Sequence, residues 1–165
     1  MKKVKFISIT IFAALLALLT ACEPKPQPIE FGHDQCEYCR MMITEPEFAS
    51  QALNHRGRSF KFDSVECMAA FDLTADDPDQ IHSLWVPDFH SSENWLQSTE
   101  AVYLKSESLR SPMGLGLSAY SNKSAAREMQ AGYGGEIISY EKVKEVVRDA
   151  WLTNGNGSMH MNHSH

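Results

Sequence analysis

Several familiar catalytic signatures are missing from this 165-residue chain. It has no glycine-rich phosphate loop and no His-Glu-x-x-His metalloprotease motif. It also lacks the Gly-x-Ser-x-Gly turn that carries the nucleophile of many hydrolases. Its acidic residues are scattered, so no pair is identifiably arranged for acid–base catalysis. We therefore expect that the protein is not an enzyme.

Positive charge is also scarce. Lys and Arg together number 15 against 21 Asp and Glu, which gives a formal net charge of −6. This balance argues against binding to nucleic acid and to anionic lipid, because both attract basic surfaces. It suits a protein that meets cations.

Long apolar runs are absent after residue 22. The one such run, Phe6 to Leu19, follows three lysines and is short for a membrane span of about 20 residues. It closes with Leu-Thr-Ala-Cys at 19–22, which resembles a bacterial lipobox. We predict a lipoprotein signal peptide over residues 1–21 and acylation of Cys22, with an ordinary secretory signal as the alternative. The protein would then be anchored through lipid to the periplasmic face of a bacterial membrane.

The chain after the signal divides into a tether, a body and a tail. Residues 22–35 contain alternating prolines, which favour an extended conformation and exclude helix. Residues 36–152 form the predicted body, which is long enough for one domain. Residues 153–165 begin with a Gly/Asn-rich stretch that has no fold signal.

The first half of the body, about residues 45–95, predicts the order strand, strand, helix, strand. Pro87 should end the last strand or confine it to a sheet edge. The predicted elements are strands over Phe48–Leu53 and Arg58–Phe62, a helix capped by Asp63 with Glu66 and running to Leu73, and a strand within Leu84–Phe89.

The second half, about residues 100–140, predicts the same order. A last helix over 140–152 carries an apolar stripe that includes Val143, Val147 and Ala150. We infer an α+β fold of two ββαβ units packed together, followed by this C-terminal helix. The predicted elements of the second unit are strands Ala101–Lys105 and Leu115–Tyr120, a helix capped by Ser121 and running through Met129, and a strand over Glu136–Ser139.

Soft metal donors are concentrated at the start of the body, in the segment Cys-Glu-Tyr-Cys-Arg-Met-Met at 36–42. Thiolates and thioethers together favour Cu(I) over hard cations such as magnesium. In an extended segment Cys39 and Met41 would point to the same side and could share one ion. We therefore predict a Cu(I) site. Its candidate ligands are Cys36, Cys39, Met41, Met42, Cys67 and Met113.

The cysteine pattern leaves other interpretations open. With Cys22 assigned to lipid, three cysteines remain, so at least one thiol is free, binds metal or pairs outside the chain. A thiol-disulfide oxidoreductase could use Cys36-x-x-Cys39, although the pair follows the tether rather than a strand. A structural zinc module would need two more ligands. Cys67 and one of His33, His55, His82 or His90 could supply them.

The C-terminal residues form a second group of metal donors. Two methionines and three histidines occur within the last seven residues. Imidazole suits Cu(II) and thioether suits Cu(I), so we predict a secondary metal-binding segment, with a solvent-exposed tail as the alternative. Its candidate ligands are Met159, His160, Met161, His163 and His165.

Taken in order, these motifs resemble the NosL family of copper-binding lipoproteins over most of residues 22–151. The matching features are Cys22, the segment Cys36-x-x-Cys39-x-Met41-x-Ile43, the Phe62-Asp63 step into a helix, and the turn Ser111-Pro112-Met113-Gly114. The resemblance implies a Cu(I) chaperone that delivers copper to nitrous oxide reductase in denitrification, alongside a copper-delivery or ABC-type membrane complex. It also implies a fold similar to part of an organomercurial lyase, with Cys39 and Met41 as ligands.

Overall fold

The computed structural model describes residues 23–77 and 80–153. The predicted signal peptide, Cys22 and the Met/His segment 159–165 lie outside the described residues. In chain order the elements are β1 Ser50–Asn54, β2 Ser59–Phe62, α1 Val65–Thr74, β3 Ile81–Asp88, β4 Ser91–Gln97, β5 Val102–Lys105, β6 Leu117–Tyr120, α2 Lys123–Tyr133, β7 Glu136–Ile138, α3 Tyr140–Val147 and a π-helical segment Arg148–Thr153.

The strands build two antiparallel sheets within the described residues. The first has the order β2-β1-β3-β4 and the second the order β6-β5-β7. Strand β1 lies inside the first sheet, where Ala52 pairs with Phe60 on one side and Leu84 on the other. Both halves contain the predicted order strand, strand, helix, strand.

Pro87 does not place β3 at an edge, because β3 lies between β1 and β4. The pairing of β3 with β1 ends at Trp85 and Gln51. Pro87 therefore lies beyond the reach of β1 and next to an irregularity in the pairing with β4. A proline can occupy such a position because the ladder does not require an N–H there. Of the two predicted outcomes, the sheet edge was wrong, whereas β3 does end one residue after Pro87, at Asp88.

Strand β4 was not predicted. It adds a further strand to the first ββαβ unit, and all of its side chains are exposed or half-buried. Its sequence, Ser-Ser-Glu-Asn-Trp-Leu-Gln, has little of the apolar alternation that identifies a strand. A tight turn from β3 leads into β4. In this turn the His90 N–H donates to Asp88 Oδ1 at 3.1 Å, directly before the strand.

Both helix caps lie one residue later than predicted. Ser64, not Asp63, caps α1, and Asn122, not Ser121, caps α2. Asn122 Oδ1 accepts from two backbone N–H groups of the first turn, each at 3.0 Å, as a capping amide does. Helix α2 also continues past Met129, and Gly134 ends it with a φ of 66°.

One apolar core joins the two sheets, and it confirms the α+β fold. Phe62 of the first sheet, Tyr103 and Leu117 of the second, and Val143 of α3 are fully buried within it. Ala150, predicted on the same stripe, is exposed, because the π-helical segment changes the turn after Val147. No helix in residues 23–77 and 80–153 has both the length and the apolar character needed to cross a bilayer.

Glu66 is a fully buried carboxyl group in the first turn of α1. The Ser111 hydroxyl donates to Glu66 Oε1, and Ser111 Oγ in turn accepts from the Gly116 N–H at 2.9 Å. The other carboxyl oxygen, Oε2, is buried without a partner. Burial raises the pKa of Glu66 above its usual range because it penalises the charged form.

We predict that Glu66→Gln removes a pH dependence of stability. Above pH 4.5 the unfolded chain ionises Glu66 while the folded protein retains its proton, so the unfolded state binds fewer protons. The free energy of unfolding of the wild type should therefore fall by up to about 1.4 kcal/mol per pH unit until the raised folded pKa is reached. Urea unfolding between pH 4 and 8 measures this fall, which the variant should lack.

The matched control is Glu128→Gln, which removes an exposed carboxylate from α2. Its unfolding curve should follow the wild-type pH dependence. Equal pH profiles for the wild type and Glu66→Gln would contradict the assignment.

Gly116 holds the Ser106–Ser111 loop close to β6. Its φ is 67°, and a Cβ atom there would overlap the backbone carbonyl of Ser106. Gly114, two residues before Gly116, has a φ of 79° but no atom within 4 Å of its would-be Cβ. A substitution at Gly114 therefore tests the positive φ alone. A substitution at Gly116 tests the positive φ together with the close approach of the Ser106 carbonyl.

We predict that Gly116→Ala destabilises the protein by about 2–4 kcal/mol, because the backbone must move to admit the methyl group. Gly114→Ala should cost only the left-handed penalty of about 1–2 kcal/mol. Denaturant titration of both variants measures the difference. Equal losses would show that the Ser106 contact does not constrain the loop.

Candidate metal centre

The Cys36-x-x-Cys39 segment forms the turn of a short hairpin. The Cys36 N–H donates to Met41 O at 2.8 Å, and the Arg40 N–H donates to Cys36 O at 3.0 Å. Arg40 has a φ of 65°, the one non-glycine residue with positive φ in the described part of the chain. The chain therefore bends between Cys39 and Met41, and the prediction of an extended segment there was wrong.

Strand β2 holds this hairpin against the body. The Glu37 N–H donates to the Lys61 carbonyl at 2.8 Å. The Lys61 ammonium also contacts Asp34 Oδ2 at 2.6 Å. Cys36 and Ile43, at the two arms of the hairpin, are both fully buried. These contacts bring the turn to the end of β2, where α1 begins.

The third thiol comes from the first turn of α1. The Ser64 hydroxyl oxygen accepts from the Cys67 N–H at 3.3 Å. The Ser64 backbone carbonyl accepts from the Ser50 hydroxyl at 2.8 Å. This cap fixes where the helix starts and therefore where Cys67 projects. Cys67 is fully buried.

Four donor groups converge where the turn meets the helix. The ligand atoms of Cys36, Cys39, Asp63 and Cys67 all lie within 4.8 Å of one another. We call this group the thiol cluster. The Cys39 thiol donates to Asp63 Oδ2 at 3.4 Å, whereas Asp63 Oδ1 is buried and has no hydrogen-bond partner. A buried, unpartnered carboxylate oxygen beside three thiols is what a bound cation would satisfy.

The three thiols differ in acidity. The Cys67 thiol donates a hydrogen bond to Cys36 and lowers the pKa of Cys36 to about 7, against the effect of burial. Burial raises the pKa of Cys39 to about 12. The pKa of Cys67 is raised because it is the donor to Cys36 and is itself buried. Cys36 is therefore the first thiolate, and the other two keep their protons until a metal displaces them.

The predicted ligands fall into separate groups. Three of them, Cys36, Cys39 and Cys67, lie together in the thiol cluster. Met41 and Met42 lie on the hairpin with about half of each side chain exposed, at 51% and 49%. Met113 is half-buried and packs on the apolar core that includes Cys36 and Cys67.

Asp63 is the residue that the sequence analysis missed as a ligand, because it was predicted to be a helix cap. Its spacing of four residues from Cys67, across a helix start, is the sequence signal that could have identified it. No histidine belongs to the cluster. The Cys36-x-x-Cys39 pair also lies in a hairpin turn rather than between a strand and a helix, unlike the thioredoxin arrangement.

The four side chains of the thiol cluster differ in their exposure to solvent. Cys39 is half-buried, whereas Cys36, Cys67 and Asp63 are buried. A cation could therefore enter and leave past Cys39 and be held by the deeper groups. Such a site is chemically suited to binding a soft ion reversibly.

Comparison with known proteins identifies the family and the fold of this chain. A profile of the NosL family matches residues 28–147. The crystal structure of the copper chaperone NosL from Shewanella denitrificans has the same fold, with a TM-score of 0.64 at 20% sequence identity, over 73% of this chain and 96% of that chain. No curated protein is a significant match to the sequence. Because the profile covers most of its length, this chain belongs to the NosL family.

Proposed function

We propose that the protein is a Cu(I) chaperone that carries copper in the thiol cluster. The observation that carries this proposal is the convergence of three thiols with Asp63, whose second carboxylate oxygen is buried and unpartnered. Thiolates are the donors that select Cu(I). Family membership supports the same cargo, since the structural relative is described as a copper chaperone.

Release of copper would proceed by ligand exchange. Cys39 is the most accessible of the cluster thiols, so a ligand of the recipient would replace Cys39 first and the deeper Cys36 and Cys67 last. Copper stays monovalent throughout, and the freed thiolates recover protons from water. Cu(I) tolerates the change of coordination because a d¹⁰ ion imposes little geometry.

The methionines are proposed as auxiliary ligands. Met41 and Met42 present exposed thioethers on the same hairpin as Cys39, where they could guide Cu(I) toward the thiols. Met113 is proposed as a thioether on the core side. Thioethers bind Cu(I) without having to lose a proton, so they suit transient contacts.

The place of action follows from the predicted lipid anchor. Acylated Cys22 would hold the protein at the periplasmic face of a bacterial membrane, with the tether leading to the body. The recipient would be nitrous oxide reductase, served together with an ABC-type membrane complex, and the protein itself would catalyse no reaction. The tether is short, because Gln27 already hydrogen-bonds through its backbone N–H to Gln51 Oε1 at 2.9 Å.

Structural zinc is a second candidate, which the donor set itself favours. Three thiols and one carboxylate could form the closed four-coordinate shell of a structural zinc site. The two functions differ in what metal does for the fold. A structural zinc site contributes folding energy outright, whereas a cargo site must remain folded when it is empty.

We predict that replacing Cys39 or Cys67 with Ser weakens Cu(I) binding by more than about 100-fold. Each change removes a direct ligand, and loss of an outer partner alone typically costs about 10- to 100-fold. Asp63→Asn should weaken binding less, because an amide oxygen can still donate. Competition of the reduced protein with a chromophoric Cu(I) chelator measures the affinities.

Met68→Leu is the control, since Met68 neighbours Cys67 in sequence but is buried in the apolar core. It should bind Cu(I) like the wild type. Unchanged binding in Cys39→Ser and Cys67→Ser would rule out the thiol cluster as the copper site.

We also predict that removing copper leaves the fold intact. Tyr103, Leu117 and Val143 are buried in the core and are not candidate ligands, so their packing should persist without metal and the metal-free protein should still unfold cooperatively. Its melting temperature should be somewhat lower, because ligand binding stabilises the native state. Near-ultraviolet circular dichroism and thermal melts before and after chelation measure this. Collapse of the spectrum on chelation, restored by Zn²⁺, would instead identify the structural zinc site.

A further inference from the structure

Two histidines at one end of the first sheet lie against each other. The ring centroids of His55 and His82 are 5.1 Å apart, and the ring planes are nearly perpendicular, at 88°. Both side chains are exposed. We call these two residues the histidine pair. They are imidazole donors that the proposed function does not use.

The histidine pair is separate from the thiol cluster. Strand β1 begins at Ser50, whose hydroxyl binds the Ser64 carbonyl at the start of α1. His55 directly follows the other end of β1. A strand rises about 3.3 Å per residue, so the five residues of β1 put roughly 13 Å between its two ends. An ion at the pair therefore could not share ligands with the cluster.

The turn between β1 and β2 holds His55 in place. Asn54 Oδ1 accepts from the backbone N–H groups of Arg56 and Arg58, each at 2.9 Å. The Asn54 N–H donates to the Arg58 carbonyl at 3.0 Å. An asparagine that binds its own turn in this way fixes the backbone on both sides of His55.

A β-bulge positions His82. Leu53 of β1 pairs with Ser83 of β3. The next residue of β1, Asn54, pairs with Ile81, so His82 is the extra residue between two pairs. Bulges redirect the side chain of the extra residue and occur often at functional sites. This bulge brings the His82 ring against His55.

The neighbours of His82 also suit a metal ligand. His82 Nδ1 lies 3.2 Å from Ser83 Oγ. The same oxygen accepts from Trp85 Nε1–H at 2.8 Å, which holds it in position. Histidines that bind metal usually donate their other ring N–H to an oxygen. With the proton on Nδ1, His82 would donate to Ser83 and keep Nε2 free for an ion.

The spacing of the two rings matches that of two imidazoles around one ion. A metal lies about 2.0–2.1 Å from the ligating nitrogen, so it is roughly 3.2 Å from the ring centre. Two ring centres are then about 4.5 Å apart for a right angle at the metal and about 5.2 Å apart for a tetrahedral angle. The observed 5.1 Å lies within this range.

The donor set favours a divalent ion over Cu(I). Imidazole binds Cu²⁺ more strongly than the other divalent ions of the first transition row. Within the described residues no thiol or carboxylate joins the pair as a third donor. Gln80 and Arg56 line the cavity beside His55. The Gln80 amide oxygen or water could complete the shell, while the charge of Arg56 lowers the affinity for any cation.

We propose that His55 and His82 form a second metal site, which binds a divalent ion and prefers Cu²⁺ to Zn²⁺. The site is independent of the thiol cluster and of its proposed copper function. The chain would thus separate two classes of ion by donor type, with thiolates for Cu(I) and imidazoles for Cu²⁺. The site should bind more weakly than the cluster, because it offers two neutral ligands and has Arg56 beside it.

The first test titrates the full chain, with its thiols reduced, with Zn²⁺. Zn²⁺ does not oxidise thiols, and it should fill the thiol cluster first. Nitrogen NMR of the assigned imidazole rings then reports each histidine separately. The His55 and His82 signals should shift together with one dissociation constant, and His33, an exposed histidine outside the pair, should bind more weakly. Different constants for His55 and His82, or binding no stronger than at His33, would overturn the proposal.

Single substitutions test whether the two rings hold one ion. His55→Ala should weaken Zn²⁺ binding at His82 by more than about tenfold, because the second ligand of the chelate is lost. His82→Ala should do the same at His55. His90→Ala is the control, since His90 is also exposed, and it should leave the pair unchanged. Unchanged binding at His82 in His55→Ala would overturn the proposal.

The preference for Cu²⁺ is tested without the thiols, because Cu²⁺ oxidises them. The variant replaces Cys36, Cys39 and Cys67 with Ser, together with the five candidate ligands of the C-terminal segment. Electron paramagnetic resonance should show Cu²⁺ bound by two imidazole nitrogens, and His55→Ala should remove that signal. Zn²⁺ competing with Cu²⁺ on equal terms would overturn the preference. The Zn²⁺ titration of the full chain decides whether the site exists even if this variant does not fold.

Discussion

The contact between the Cys36–Cys39 turn and β2 is the constraint on which the candidate site depends. A hydrogen bond from Glu37 to the Lys61 carbonyl sets the position of the turn beside the strand, and burial of Cys36 and Ile43 supplies the apolar contribution that holds it there. Strand β2 then leads directly into α1. Thiols separated by about thirty residues meet because both segments are fixed to the same strand end.

Two buried carboxyl groups at and beside the candidate site lower the stability of the fold. Asp63 is buried with one oxygen unpartnered, and Glu66, three residues further on, is buried in the same condition. Buried carboxyl groups without full partners destabilise a protein unless a proton or a cation compensates them. At Glu66, burial raises the pKa of the carboxyl group, so a proton is the expected compensation. At Asp63, next to three thiols, a soft cation is the compensation that the proposed function supplies.

The order of elements could be predicted because it depends on local patterns. The alternation of Phe60 and Phe62 in β2, the apolar start of α1, and the double glycine after α2 each predicted an element near its observed position. The errors have local explanations of their own. Strand β4 is polar and depends on its partner for its conformation, and Pro87 is tolerated because β1 is too short to reach it. Cap positions differed by one residue, which periodicity does not resolve.

The sequence by itself determined the class of chemistry, because soft donors clustered in seven residues favour a soft ion wherever they lie in space. It also determined the α+β order and the acidic balance. Only the tertiary structure decided which donors meet: Cys67 and Asp63 join the Cys36–Cys39 turn, while Met41 turns toward the surface at Arg40. Such a choice depends on how a hairpin, a strand end and a helix cap are packed together. The residues that meet are far apart in sequence, so no local pattern encodes their contact.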